Sequence, residues 1–487
     1  MTRRWWVLGV LCLAELVVVL DNTVLNVAVP VLATRLAADT ADVQWTINAY
    51  ALAQAGLLLA AGSAADRYGR RRMLLLGLAV FGAGSLAAGL AGSVAQLVAA
   101  RAVMGVGGAL LITGTLAVAI QVFDAAERPR AIAIWAAVNA LGFAAGPLIG
   151  GVILAHFHWG AIFLLNVPLA LAGLAAVRAL VPESRNPARG RPDLPGAALA
   201  TLGTTAVVYA IIAGAPLFLL GGALVLGGFL AWERYTRNPM LSPELFGNRR
   251  FVGAVTGVVL ITFGSAGALF LLTLQLQFVR GYAPLEAGLR IAPFALSVVV
   301  LTATGIGPAL IRRLGIPLAI AAGMTLLAAG LAAVAFAGAG YGGLLTGLLL
   351  MGAGCALANP AIVEAVVGAV PADDAGAGAG VEGTMTELGS SLGVAVLGAL
   401  MQARFTALLP AAGSLPAALS AASPAAERAP ILDALAAGLR LGQGVGAAAV
   451  LAGGWLAALL LWSGGPDTAA PLGGEREHPG RGGTARD

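Results

Sequence analysis

The chain has very little charge for its length. Only 10% of its 487 residues are charged, whereas a typical soluble globular protein has about a quarter. Hydrophobic residues make up 59% of the chain, and the mean hydropathy is +0.91. This composition excludes a soluble globular protein and indicates an integral membrane protein that is embedded in the lipid bilayer.

The sequence is also poor in residues for metal and redox chemistry. Its two cysteines, Cys12 and Cys355, both lie in apolar runs, which argues against a disulfide framework. There are three histidines and no HExxH or CxxC motif, so we expect neither a metal site nor a cofactor. Lysine is absent, and most of the arginines flank apolar segments, where they set orientation in a membrane and do not form a nucleic-acid patch.

The apolar runs have the length of membrane-spanning helices, roughly 20 residues, and lack the alternation of a membrane β-barrel. Arg3 and Arg4 precede the first run as in a signal peptide, but no cleavage site follows, which favours a retained helix. Six helices are predicted in the first half at about 6–30, 43–64, 72–92, 96–122, 130–155 and 160–181. Six more are predicted at about 251–275, 286–310, 316–338, 342–368, 378–404 and 438–462.

The segment 182–250 decides the total number of helices. It contains two apolar runs, about 195–214 and 216–232, joined by a turn near Gly214 and Pro216 and flanked by arginines on both sides. If both flanks are cytoplasmic, an even number of crossings must lie between them. We therefore predict a central hairpin and fourteen helices in all. A re-entrant or surface-lying pair is the alternative.

These runs predict four parts of the chain. They are a six-helix bundle at 1–181, a central hairpin with cytoplasmic flanks at 182–250, a second six-helix bundle at 251–462 with an external loop at 405–437, and a disordered cytoplasmic tail at 463–487. With both termini in the cytoplasm, 21 arginines lie inside, six lie outside and Arg101 lies within the membrane. That bias supports the orientation.

Two ionisable residues are predicted inside the membrane. Asp21 follows fifteen mostly apolar residues, which places it more than about 20 Å from the cytoplasmic end of helix 1. A carboxylate there costs roughly 2.5–3.5 kcal/mol, so we interpret it as a proton carrier. Arg101 in helix 4 reaches a similar depth, about 10 Å below the outer surface, and could hold Asp21 ionised. Structural roles, with polar neighbours or backbone carbonyls as partners, are the alternatives.

The segment between predicted helices 2 and 3 reads GSAADRYGRRR. A glycine four residues before an acid, and a second glycine in the turn, indicate a short loop in which the acid pairs with basic side chains and helix ends. Such a latch can break and re-form as two halves of a transporter rock; a mere orientation signal is the alternative. The candidate latch residues are Gly62, Asp66, Arg67, Gly69 and Arg70.

A stripe of glycines marks predicted helix 5. Gly142, Gly146 and Gly150 recur every four residues and leave one face bare, which lets a neighbouring helix approach closely. Pro147 bends the helix beside this stripe, and Gly151 follows directly after it in the sequence. We expect a hinge or a seal in the outer half, at the level of the two ionisable residues. The alternative is that glycine and proline are simply common in membrane helices.

In order along the chain, these stretches resemble the signatures of one family. GSAADRYGRRR resembles the signature loop of the major facilitator superfamily, and GFAAGPLIGG resembles its antiporter signature GxxxGPxxGG. LDNTVLNVAVP and LVAARAVMGVGGA resemble the first-helix and fourth-helix patterns of the fourteen-helix drug:proton antiporters. FLLNVP, LEAGLRIAP and LGSSLGVAVLG agree as well. Met104 departs from the fourth-helix pattern, which usually has glutamine there.

The resemblance implies an all-α integral membrane protein with the major facilitator fold and 14 transmembrane helices. It also implies a monomeric, proton-coupled antiporter of the bacterial plasma membrane that exports lipophilic drugs, antibiotics or related metabolites by alternating access. Asp21 would take up the proton and Arg101 would tune it, while Glu382 and Glu387 in predicted helix 13 are candidate acids for substrate or protons. A symporter or uniporter that imports a metabolite is the alternative. A membrane enzyme or sensor would need a catalytic cluster or soluble domain that the sequence lacks.

Overall fold

A computed structural model describes residues 3–124, 127–185, 192–236, 239–240, 243–337, 340–369, 375–410, 418 and 425–463. All regular elements in these ranges are helices. Thirteen are long and apolar enough to cross a membrane, and a further helix, Arg128–His156, has 29 residues. The predicted all-helical membrane fold is confirmed. The predicted tail, 464–487, lies outside the described residues.

Six long helices form the first half of the chain: α1 Arg3–Arg35, α2 Thr40–Tyr68, α3 Arg70–Gly89, α4 Val94–Val122, α5 Arg128–His156 and α6 Ala161–Leu180. Helix α6 is interrupted at Leu165. Buried apolar side chains between Val7 and Val181 pack these helices around one core. The first half therefore has its own hydrophobic interior.

The second half has the same plan. Its six long helices are α9 Arg249–Leu274, α10 Pro284–Ala303, α11 Ile316–Ala335, α12 Tyr341–Gly368, α13 Ala375–Leu408 and α14 Ala425–Ser463. Helix α9 continues as a π-helix, Gln275–Val279. A second core extends from Ala254 to Leu461. A third cluster joins the halves, because Val29 and Val43 of the first half pack with Phe270 and Leu397 of the second.

Two helices lie between the halves in sequence, α7 Leu194–Ala213 and α8 Pro216–Tyr235. The turn between them lies at Gly214, whose φ is +62°. Helix α7 packs on α2 and α13, while α8 packs mainly on α7. Asp193 caps α7 and also accepts a hydrogen bond of 2.9 Å from the Trp232 indole of α8. The pair thus forms an antiparallel hairpin beside the seam between the halves.

Two predicted helix ends were wrong. Gly62 and Asp66 lie within α2, because a single glycine, Gly69 with φ +117°, makes the whole turn into α3. Helix α10 ends at Ala303 and not at 310, since Gly305, with φ +71°, starts a separate helix, Ile306–Leu314.

The predicted external loop 405–437 is largely helical in the described residues, since α13 reaches Leu408 and α14 begins at Ala425. Its alanine-rich sequence favours helix even where hydropathy is low.

Successive long helices in the described ranges run in opposite directions between two ends of the helical assembly. The end that holds Arg3, the α2–α3 turn and the α8–α9 connection is here named the arginine-rich end. The other, which holds the α1–α2 and α9–α10 connections, is named the opposite end.

Candidate functional site

The two ionisable residues predicted within the membrane form a buried ion pair. Arg101 Nη1 donates to Asp21 Oδ2, and both residues are almost completely buried, at 1% and 3% exposed. The second carboxylate oxygen, Asp21 Oδ1, accepts a hydrogen bond of 2.9 Å from Asn166 Nδ2. Helices α1, α4 and α6 therefore meet at one carboxylate in the interior of the first half.

Arg101 is also fixed by contacts other than its ion pair. Its Nε donates to the Thr46 carbonyl at 3.1 Å, and its guanidinium lies 4.3 Å from the centre of the Tyr50 ring. Both partners are on α2. Met104, the departure from the family pattern, is buried and places its sulfur 4.0 Å from Arg101 Nη1. Removing one charge of a buried pair leaves the other uncompensated, which is strongly destabilising.

Sequence reasoning found the pair but missed part of its surroundings. Asn166 was contained in the FLLNVP match, yet no role was predicted for it. The break in α6 at Leu165 lies directly before Asn166, whose side chain is fully buried. A buried asparagine in an apolar helix needs hydrogen-bond partners, and that signal could have selected it.

A buried glutamine of α2, one helical turn from Tyr50, is hydrogen-bonded to the second half. Gln54 of α2 is fully buried, and its Nε2 donates to Glu387 Oε1 of α13 at 2.8 Å. In the described part of the chain, Gln54 Oε1 and the Tyr50 hydroxyl have no hydrogen-bond partner. A Cβ on Gly108 of α4 would collide with both oxygens.

The two candidate acids of α13 have different surroundings. Glu387 faces α2 across the seam, whereas Glu382 accepts a hydrogen bond of 3.1 Å from Thr386 on its own helix. Glu364 is exposed near the end of α12. Within the described residues no group of three or more side chains could hold a metal ion.

The glycine stripe of α5 packs against α1. A Cβ on Gly142 would lie 2.9 Å from Leu16 Cδ1, and one on Gly150 would lie 3.0 Å from Val24 Cγ1. On Gly146 it would lie 2.5 Å from Thr23 Cβ. The stripe therefore allows the close approach that its spacing suggested.

The other side of the motif contacts the second half of the chain. A Cβ on Gly151 would lie 2.6 Å from Leu285 Cα of α10, and one on Gly288 of α10 would collide with the Pro147 carbonyl. Gly151 and Pro147 thus bring α5 against α10. The motif joins three helices at one level.

Further contacts between the halves lie at the opposite end. Thr40 Oγ1 donates to Gln402 Oε1 at 2.9 Å, Gln44 Nε2 donates to the Val394 carbonyl at 2.7 Å, and Gln277 Nε2 donates to the Val27 carbonyl at 2.8 Å. Between α1, α5, α9 and α10 a cavity of only about 20 Å³ remains, which is room for about one water. The halves are therefore in close contact at this end.

The candidate latch lies at the arginine-rich end. Arg70 donates to Asp66 Oδ1 at 2.7 Å, within one helical turn across Gly69, and to Gln121 Oε1 of α4 at 2.9 Å. Glu183, which sequence reasoning missed, accepts from the Arg71 amide at 3.2 Å and lies 3.7 Å from Arg72 Nε.

The two predicted glycines of the latch differ. A Cβ on Gly69 would lie 2.6 Å from Glu183 Oε1, whereas one on Gly62 would only reach ordinary contact, 3.8 Å, with Thr113. Gly69 is therefore required by both its φ and its neighbour, and Gly62 by neither. Arg67 lies beside the ring of Tyr68, 6.0 Å from its centre.

Comparisons with known proteins agree with this architecture. The model of the Major Facilitator Superfamily matches residues 11–394. The chain is 35% identical over 444 residues to the methyl viologen resistance protein SmvA of Salmonella typhimurium, covering 86% of both chains. It is 35% identical over 401 residues to the multidrug resistance protein Stp of Mycobacterium tuberculosis, covering 80% of this chain and 74% of that one.

The fold is similar to that of a solved transporter. A bacterial homologue of the human lysosomal transporter Spinster, solved in an inward-facing and unoccupied conformation, aligns with a TM-score of 0.69 and 17% identity, over 96% of this chain and 100% of that one. The family match covers most of the chain and the two relatives exceed 30% identity. The chain therefore belongs to the Major Facilitator Superfamily, and its relatives are multidrug efflux and resistance transporters of that superfamily.

Proposed function

We propose that this protein is a proton-coupled antiporter that exports lipophilic drugs, antibiotics or related metabolites across the bacterial plasma membrane. The observation that carries the proposal is the buried Asp21–Arg101 ion pair with Asn166 as its third partner. In this orientation the arginine-rich end, with both termini, faces the cytoplasm and the opposite end faces outward. The protein acts as a monomer.

The proton acts on the ion pair. Protonation of Asp21 removes the counter-charge of Arg101, which stays in place through the Thr46 carbonyl and the Tyr50 ring. The two protonation states therefore favour different packing of α1 against α4, which is the differential stability that alternating access requires. One proton that enters down the membrane potential supplies about 2.3 kcal/mol per 100 mV.

Glu387 is the acid that links the protonation of Asp21 to the second half. It is held by Gln54, two helical turns along α2 from Thr46. A movement of α2 that follows the loss of the ion pair changes the Gln54–Glu387 hydrogen bond directly. Glu387 is therefore a better candidate than Glu382, whose described hydrogen bond is within its own helix.

The remaining motifs fix the two ends of the transport cycle. Asp66 and Arg70, with Glu183, latch the cytoplasmic end of the first half. The α5 motif, with Gly146 against α1 and Gly151 against α10, seals the outer end. Thr40, Gln44 and Gln277 make inter-half hydrogen bonds at that outer end, which fits a closed outer side.

The class of substrate is supported by the relatives. SmvA is named for resistance to methyl viologen and Stp for multidrug resistance, and we infer that this chain likewise exports foreign or toxic small molecules. Superfamily members are transporters and not enzymes.

The proposal is tested in inside-out membrane vesicles that contain the protein. A panel of cationic, neutral and anionic lipophilic fluorescent dyes is offered, and we expect uptake of at least one dye that stops when the pH gradient is collapsed. Asp21→Asn should abolish this uptake, whereas Glu244→Gln, which neutralises an exposed acid of the α8–α9 connection, should leave it intact. Dye movement in the other direction would favour the import symporter. Undiminished proton-dependent uptake by Asp21→Asn would refute the role of Asp21.

A further inference from the structure

A second cavity lies outside the site described above, at the opposite end of the second half. Its volume is about 500 Å³, within the range of about 300–1,000 Å³ that is usual for small-molecule sites. Residues of α9, the α9–α10 connection, α11 and its end, and α14 form its walls. Within the described residues its lining includes none from the first half, so it is separate from the Asp21 centre.

The lining carries charge of one sign. Arg280 and Arg440 face the cavity, and its described lining contains no acidic residue. Arg280 Nη1 donates to the Gly340 carbonyl at 3.4 Å. Arg440 is exposed and makes no ion pair or hydrogen bond with the part of the chain that the structure describes. Arg280 has a further interaction beside this hydrogen bond, so Arg440 is the guanidinium whose paired N–H donors fit a carboxylate or phosphate at this cavity.

A buried acceptor in the same wall has no donor. Gln443 is 1% exposed, and its Nε2 donates to the Ala268 carbonyl at 3.2 Å, which fixes the amide. Its Oε1 has no hydrogen-bond partner among the described residues. Buried polar atoms without partners are rare and destabilising unless a ligand or water satisfies them. A ligand of this cavity would therefore carry a hydroxyl or amine donor beside its anionic group.

The cavity also touches a contact between the halves. Gln275 and Val279, the first and last residues of the π-helix, line it. Between them, Gln277 donates to the Val27 carbonyl of α1 at 2.8 Å. π-Helical turns are rare and frequently occur at functional sites. The cavity thus adjoins the turn that holds α1 at the opposite end.

We propose that this cavity binds a phosphate or carboxylate that bears a neighbouring hydroxyl or amine, and that the bound group stabilises the contact between the halves at the opposite end. The same chemistry is present in the headgroup of phosphatidylglycerol and in a free anion such as glycerol 3-phosphate. The proposal is independent of drug export.

Binding is measured on the purified protein in a neutral detergent, from the midpoint of thermal unfolding. The probes are dihexanoyl phosphatidylglycerol, its phosphatidylcholine counterpart and glycerol 3-phosphate. We expect the phosphatidylglycerol to raise the midpoint and the phosphatidylcholine to have no effect. Arg440→Gln should raise the half-saturating concentration about tenfold or more, because one charge-assisted contact is lost. Gln443→Leu should also weaken binding.

The control is Arg35→Gln, which removes an exposed arginine of the same end, outside the cavity. It should respond as the wild type does. Stabilisation by glycerol 3-phosphate as well would identify a free anion as sufficient, whereas stabilisation by the lipid alone would identify the headgroup. Equal responses to the two lipids, or equal responses of wild type and Arg440→Gln, would overturn the site. Because Arg440 is exposed, this variant tests the site even if Gln443→Leu does not fold.

The effect on closure is measured by cross-linking at the opposite end. Thr40→Cys and Gln402→Cys place two thiols where the wild-type side chains are hydrogen-bonded at 2.9 Å. In a background without the two native cysteines, we expect phosphatidylglycerol to increase the cross-linked fraction, and Arg440→Gln to remove that increase. A cross-linked fraction that ignores the lipid would show that the site does not act on closure.

Discussion

Replacing Gly146 with alanine tests the packing of α5 on α1. The new Cβ would lie 2.5 Å from Thr23 Cβ and 3.2 Å from the Thr23 carbonyl carbon, so one of the two helices must move. Overpacking of this kind costs about 1–3 kcal/mol, while exchanging glycine for alanine within a helix contributes about 1 kcal/mol of stability. We expect the variant to be less stable than the wild type by up to about 2 kcal/mol, and its export to be impaired.

The matched control is Gly9→Ala in α1, where no described residue lies within 4 Å of the added Cβ. This variant should gain up to about 1 kcal/mol. Chemical or thermal unfolding of both purified variants, in the same detergent, should thus separate them by about 1–3 kcal/mol. Dye export in vesicles should be normal for Gly9→Ala.

A compensating change sharpens the test. In Gly146→Ala with Thr23→Gly, the bare position moves from α5 to α1, which removes both the Cβ and the hydroxyl that the new methyl would meet. Within the described residues the Thr23 hydroxyl donates only to carbonyls of its own helix, at 2.8 Å and 3.2 Å, so its removal leaves no buried donor behind. The coupling energy between neighbours is typically about 0.5–3 kcal/mol. Equal stability of Gly146→Ala and Gly9→Ala, or no recovery in the double variant, would refute the reasoning.

Three further predictions concern the site and the latch. Arg101→Leu leaves Asp21 buried without its counter-charge and should cost about 3–5 kcal/mol in the free energy of unfolding; Asp21→Asn in the same chain should restore part of it, and an additive double variant would contradict the ion pair. Gly69→Ala must adopt a φ of +117° and should cost about 1–3 kcal/mol, so an unchanged unfolding midpoint would count against the strained turn. Gln54→Leu removes the 2.8 Å donor to Glu387 and should alter the pH dependence of dye export. Adding Glu387→Gln to Gln54→Leu should then change that pH dependence less than Gln54→Leu alone changes it. Effects of the two substitutions that simply add would argue against the bond between the halves.

The membrane fold was predictable because each spanning helix carries its own signal. Long apolar runs and flanking arginines gave fourteen helices from the sequence, and the rise per residue placed Asp21 and Arg101 at one depth. Helix ends were less predictable. At Gly69 and Gly305 one residue with positive φ ends a helix whose composition does not change, and α14 extends through an alanine-rich stretch of low hydropathy.

Contacts between helices were the part that the sequence did not supply. Asn166 meets Asp21, and Gln54 meets Glu387, only because of how the helices rotate about their axes when they pack. Spacing within one helix shows which residues share a face, but not which neighbour that face meets. Glu183 was missed for the same reason, since its partners lie on the α2–α3 turn.

The central claim is that a proton on Asp21 drives export. It is tested most directly by measuring proton movement that is driven by the dye. Protein reconstituted in liposomes is given a gradient of a transported dye and no pH gradient, and internal pH is followed with a trapped indicator. We predict that the wild type and Glu244→Gln move protons against the dye, whereas Asp21→Asn moves none. Proton movement by Asp21→Asn equal to that of the wild type would contradict the account.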